Sequence, residues 1–372
     1  MKDLRITQLA ENVLNHSIKL TENDILYLDI LGDEAMPLAL ELVKQARNLN
    51  AYVIFNITNF EFLKHFLTSA DEKQIKMYTN SELNKMKLAT AYIGITPFYK
   101  NSPLADVPIE KLELYNKYYI DPVHLKERVS NTKWCILRYP NKSMQQINNM
   151  TYEEFEDFYF KVCTWDYNKM SKAMDNLVDL MNKTDKVHII GEGTDLTFSI
   201  KNIKAEKYYG TFNLPDGEVA TAPVKTSING YITYNTETTY NGIKFNNIKF
   251  EFKDGKIINA TANNTEALNK ILDTDEGSRY IGEFALGLNP YITQTFNDTL
   301  FDEKIYGSFH FTPGDALKES DNGNRSAIHW DIVNIQTEEY GGGEIYFDDI
   351  LIRKNGKFVL KELEPLNKEN LI

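Results

Sequence analysis

The sequence predicts an α/β domain built on a parallel sheet, followed by a mainly antiparallel, β-rich domain of α+β type that carries the candidate catalytic groups. Three observations point there. In the first half, short and continuously apolar runs alternate with helix-period segments, the pattern of strands joined by crossover helices. Beyond residue 184 the texture changes to period-two strands joined by Asn-Gly and Asp-Gly turns. A length of 372 residues also exceeds what one ordinary core serves, so two domains are expected, 1–183 and 184–372.

Taken in order, residues 1–20 place Leu4, Ile6, Leu9, Val13 and Leu14 on one stripe and predict a helix. Ile25–Ile30 is a strand-type run, and Leu38, Leu42, Val43 and Ala46 mark the helix after it. Ala51–Phe55 is continuously apolar, which suits a strand buried on both faces. Weaker alternation follows, with a polar helix over 70–87, a strand at Thr90–Ile95, partly helical sequence over 100–130, and a strand at Lys133–Tyr139. Asp29 could face a ligand at the carboxyl edge of the sheet or serve in a cap or turn, and no glycine-rich phosphate loop follows it.

Thr151 and Glu154 match a capping box, and Phe158, Val162, Trp165, Met170, Met174, Leu177 and Met181 carry one helical packing stripe from 151 to 181. The polar tetrad Asn182–Asp185 then marks the expected domain boundary. Strands follow at 187–190, where His188 reads as a half-buried strand residue, and at 196–200. A meander spans 230–260 with turns at Asn241-Gly242 and Asp254-Gly255, and a closing hairpin turns at Asn355-Gly356.

A formal net charge of −12, from 41 basic and 53 acidic residues, argues against a nucleic-acid partner. Cys135 and Cys163 lack the spacing of a zinc knuckle or redox pair and read as buried, reduced and structural. No apolar run approaches the roughly 18 residues that a membrane span needs, and no signal core follows Met1, so no membrane partner and a cytoplasmic location are expected.

The chemistry concentrates between Gly282 and Asp331. In His329-Trp330-Asp331, read as a strand, imidazole and carboxylate share one face while Trp330 packs on the other. His310 lies between Phe309 and Phe311, and Glu283 lies inside the apolar run Ile281–Leu286, where an unpaired charge is expensive. Glu218, in Leu214–Pro223, stands in the same position. Each residue alone has a bland reading as a satisfied polar group. Together, three carboxylates and two histidines suit two divalent metal ions that share a bridging carboxylate and a bridging water.

The segments Leu214–Pro223, Gly282–Pro290, Phe301–Ile305, His310 and Asn324–Asp331, with Gly193–Leu196, resemble in order and spacing the aminopeptidase T family of dinuclear metallo-aminopeptidases. The resemblance is strongest over 190–335. It implies Glu218, Glu283, His310, His329 and Asp331 as metal ligands, with Glu218 or Glu283 as the catalytic proton carrier. It further implies hydrolysis of the N-terminal residue from a peptide with a free N-terminus, through a water bridging two divalent cations, and a homodimer. Zinc, cobalt or manganese would each suit the mixed oxygen and nitrogen ligand set. One departure is plain: where the family carries a tyrosine ligand seven residues after the first histidine, this chain has Leu317. Asp315 or Tyr340 could substitute. The alternative expectation is therefore a non-catalytic, metal- or peptide-binding descendant.

Overall fold

Tyr27, Tyr92 and Trp134 stand side by side on three neighbouring parallel strands, and that row organises the first half of the molecule. The computed structural model describes residues 3–97, 103–141 and 150–372. Five strands form the sheet in the order Tyr52–Thr58, Ile25–Leu31, Ala91–Pro97, Lys133–Tyr139 and Asn213–Leu214, all parallel. Helices Met36–Asn48, Phe60–Ser69 and Glu72–Leu88 lie among the crossovers, as strand–helix–strand alternation requires. Tyr27, Leu67, Met86, Tyr92, Tyr119 and Val123 meet in one apolar core.

Two expectations are revised here. The strand Tyr52–Thr58 sits at the edge of the sheet, so Phe55 is 63% exposed and the apolar run is not buried on both faces. Asp29 lies within its strand rather than at a ligand-binding edge. It accepts from the Tyr92 hydroxyl at 2.9 Å and from the Asn56 amide at 3.2 Å, and burial pushes its carboxyl up to about 6.

The capping box forms at Thr151 and Glu154, but the helical stretch divides into Tyr152–Cys163 and Tyr167–Met181. Asp166 causes the break by capping the second helix, its side chain accepting from the Asn168 backbone. Cys135 and Cys163 are buried, with no disulfide between them. Among the described residues, no helix is long and apolar enough to cross a membrane.

The chain divides into two compact units, one holding the described residues of Met1–Trp165 together with Gly210–Pro215, the other Asp166–Tyr209 together with Asp216–Ile372. Within the second unit an eight-stranded antiparallel sheet has the order Lys256–Thr261, Lys249–Lys253, Asn229–Thr233, Thr194–Ser199, Lys186–Gly191, Glu344–Phe347, Ile350–Lys354, Lys357–Phe358. Asp254 and Gly255 join two of its strands with positive φ at both turn residues, as do Asn355 and Gly356.

A second, five-stranded sheet has the order Val333–Ile335, Ser308–Pro313, Ile281–Gly287, Glu218–Thr221, Glu206–Tyr208. Period two decides what each of its faces does. Phe284 and Phe311 pack against Phe198 of the larger sheet, with ring centroids 5.1 Å apart in both pairs. Glu283, His310 and Thr312 alternate with these phenylalanines and therefore project from the opposite face. Glu218 joins them, because Ala220 pairs with Ala285 and Glu218 with Gly287.

Candidate metal centre

The register thus delivers three ligand-type side chains to one buried face. His329 and Asp331 complete the group from the segment after Gly314, where a bridge between Gly314 and His329 holds the chain beside the sheet. A side chain at Gly282 would stand 2.2 Å from the Asp315 carbonyl, and one at Gly314 would stand 2.0 Å from the Ile328 carbonyl. Glycine is required at both positions by close backbone approach, and at Gly314 also by a φ of +113°.

Glu283 lies at the middle of the cluster. One oxygen is 3.4 Å from Nε2 of His310 and the other is 3.2 Å from Nε2 of His329. Glu218 Oε2 is 3.7 Å from His310 Nε2, and Asp331 Oδ1 is 3.3 Å from His329 Nε2. Two ligand sets result, Glu218 with Glu283 and His310, and Glu283 with His329 and Asp331, each with its donor atoms within 4.8 Å of one another. Glu283 belongs to both.

Neighbouring groups hold two of these side chains in place. The Asp315 carbonyl, whose position depends on Gly282, lies 2.8 Å from Nδ1 of His329 and so leaves Nε2 to face the carboxylates. The Thr312 hydroxyl donates to Asp331 Oδ1 at 2.8 Å.

Electrostatics are correspondingly strained. Burial pushes the Glu218 carboxyl up to about 8 against the pull of Lys304. Burial would also raise Glu283, but the His310 and His329 imidazoles outweigh it and hold that carboxyl low. Burial would lower His310, yet Glu283 and Glu218 draw it up to about 9. His329 is likewise raised, Asp331 being its strongest opponent of burial.

Other groups at the centre are assigned no role by their sequence context. Lys304, fully buried, places its ammonium 2.5 Å from Glu218 Oε1, 2.8 Å from Glu303 and 3.4 Å from Asp216. Burial pushes Glu303 up to about 7 although Lys304 opposes it, and the charges of Asp331 and His310 also reach it. Tyr208 pairs with Glu218 across the strands and shares its face, and burial, then Glu283 and Glu218, raise its phenol. The available signal is the run Phe301–Ile305, in which two carboxylates and a lysine sit between apolar residues.

Leu317, half-buried, offers no ligating atom. Asp315 accepts from the Ser326 backbone through its side chain, and Tyr340 lies in the turn Glu338–Tyr340 with its phenol raised by burial and by the Glu339 and Asp302 carboxylates. His188 pairs with Asp195 at 2.8 Å on the eight-stranded sheet.

The donors fit divalent cations by a test independent of any relative. Glu218 Oε2 is buried with no hydrogen-bond partner among the described residues, an arrangement that ordinarily costs about 1–3 kcal/mol or more. It points toward the same space as Glu283 and His310.

A buried carboxylate and imidazole cluster of this kind has the donor set of a metal-binding protein, and the chain is placed more narrowly by its relatives. Residues 2–358 match the family described as thermophilic metalloprotease (M29), and the chain belongs to that family. It is 28% identical over 225 residues to aminopeptidase AmpS of Bacillus subtilis, covering 54% of this chain and 53% of that protein. Aminopeptidase PepS of Streptococcus thermophilus is 33% identical over 205 residues, covering 47% and 49%. The chain thus spans about half the length of these relatives in the matched stretches.

The structure of wild-type AmpT from Thermus thermophilus superposes with a TM-score of 0.78 at 21% identity, covering 96% of this chain and 99% of that one. A 2,5-dihydroxypyridine dioxygenase from Pseudomonas putida KT2440 superposes at 0.62 with 15% identity, covering 96% and 98%. These two likenesses establish the fold alone, and they show that it accommodates different chemistries.

Proposed function

We propose that this chain is a metal-dependent aminopeptidase that removes the N-terminal residue of peptides at a centre of two divalent cations. The observation that carries the proposal is Glu283, one buried carboxylate common to two groups of candidate ligands. Charge supports it as well. Asp216, Glu218 and Glu303 share the buried ammonium of Lys304, while Glu283 and Asp331 lie against the His310 and His329 imidazoles, so carboxylates outnumber the cationic side chain they enclose.

Glu218 and His310 would hold one cation, His329 and Asp331 the other, and Glu283 both. When bound, such ions polarise a carbonyl and lower the pKa of water to a working range. The chain's own groups do the rest. The Asp315 carbonyl presents His329 through Nε2, Thr312 fixes Asp331, and the sheet keeps the carboxylates away from bulk solvent. A carboxylate at the centre must carry the proton to the leaving amine, and Glu218 and Glu283 are the candidates.

Zinc, cobalt or manganese as the cation, and a homodimer as the assembly, are parts of the same proposal. Leu317 favours a second reading, a chain that binds metal or peptide without turnover, since no phenol stands at that position. Chelator-stripped protein assayed on aminoacyl reporter substrates separates the two. Activity restored by zinc, cobalt or manganese supports the enzyme. Stoichiometric metal binding with no hydrolysis of any N-terminal residue supports the binder.

A further inference from the structure

We infer that Lys304 is a positioning residue of this centre, holding Glu218 by one oxygen so that only the other is presented to the cation shared with Glu283 and His310. The inference rests on the two-cation reading and adds to it a residue outside both ligand sets. Lys304 has no solvent exposure, so it cannot be a group that meets substrate.

Its ammonium is fixed from three sides. Glu218 Oε1 lies at 2.5 Å, Glu303 at 2.8 Å and Asp216 at 3.4 Å. Asp216 is itself held, with Oδ1 accepting from the Gly217 backbone at 2.9 Å and its carbonyl accepting from the Asn289 amide at 2.7 Å. The Lys304 carbonyl accepts from the Asn289 backbone at 3.0 Å, so the backbone of the lysine and the residue that ties down Asp216 form one rigid frame.

Glu218 Oε1 is therefore committed, and Oε2 is the buried oxygen with no hydrogen-bond donor among the described residues, 3.7 Å from His310 Nε2. A carboxylate so held offers a single oxygen in one direction. The other ligand set does not touch Lys304. It is oriented instead by Thr312 and by the Asp315 carbonyl. The two cation positions consequently depend on different supports, and disturbing Lys304 affects them unequally.

The test uses the full chain with Lys304→Met, which removes the donor, and Lys304→Gln, which keeps an N–H donor without the charge. Each protein is stripped with chelator, its fold is checked by circular dichroism and thermal melting, and it is titrated with Co²⁺. Ions bound and the visible absorption of the cobalt are both recorded. Wild type is expected to bind two ions. Lys304→Met should keep one at wild-type affinity and weaken the other about 10–100-fold, the usual effect of losing a group that orients a ligand. Its visible bands should also change as Glu218 becomes free to offer both oxygens, while Lys304→Gln should lie between.

Wild-type affinity at both positions with an unchanged spectrum overturns the inference, and so does equal weakening of both. Failure of both variants to fold assigns Lys304 to fold stability alone and overturns it too. A wild-type chain that binds fewer than two ions overturns the two-cation reading, and the inference with it, before any variant is measured.

Discussion

Replacing Glu283 by glutamine keeps the side chain's size and removes one charge from the only carboxylate common to both ligand sets. Its two oxygens face His310 at 3.4 Å and His329 at 3.2 Å, so neither half of the cluster is spared. Removing one partner from a buried charged arrangement typically costs about 3–5 kcal/mol. Expressed as affinity, that is roughly 10²–10⁴-fold at each position. The assay is equilibrium dialysis against buffered zinc, followed by elemental analysis and hydrolysis of an aminoacyl reporter. Glu283→Gln should lose both ions and all turnover at zinc levels that saturate wild type, whereas Asp331→Asn should lose only one ion. A Glu283→Gln protein that still holds one ion tightly would refute the idea of a shared carboxylate.

His329→Ala should abolish hydrolysis while one ion per chain remains, and undiminished turnover would contradict its assignment. Thr312→Val, which removes the 2.8 Å hydrogen bond to Asp331, should lower kcat/KM about 10-fold or more with the fold intact. Gly282→Ala should push the Asp315 carbonyl off His329 and weaken metal binding at the His329 position, measured by chelator competition. In the first unit, Asp29 has its carboxyl raised from 3.8 to about 6, chiefly by burial. The fold thus favours the protonated acid, and this contribution is full below about pH 4 and lost as pH rises through about 6. The shift corresponds to about 3 kcal/mol. Asp29→Asn should accordingly raise stability relative to wild type at pH 8 and not at pH 4, and an equal effect at both values, read by denaturant unfolding, would count against it.

Much of this molecule is legible from residue patterns, and the reasons are local. Lys133–Tyr139 is found as a strand with those same ends, and Asp254-Gly255 and Asn355-Gly356 turn as their left-handed preference dictates. The placing of the candidate ligands is readable for the same reason. Phe284, Phe309 and Phe311 alternate with Glu283, His310 and Thr312, so one face packs and the other presents polar side chains.

Properties that depend on neighbours distant in the chain are not readable in this way. That Tyr52–Thr58 lies at a sheet edge is decided by strand order, which its apolar run does not encode. The break between Cys163 and Tyr167 depends on Asp166 acting as a cap inside a continuous apolar stripe. Lys304 and Glu303 follow the short helix Thr299–Asp302, and nothing local tells that the fold carries Lys304 to Glu218, eighty-six residues earlier in the chain.

Anomalous diffraction from crystals of the wild-type chain grown with zinc tests the central claim most directly. Two peaks per chain are predicted, one in contact with Glu218, Glu283 and His310 and the other in contact with Glu283, His329 and Asp331. A single peak, or peaks away from Glu283, would contradict a two-cation centre built around that carboxylate.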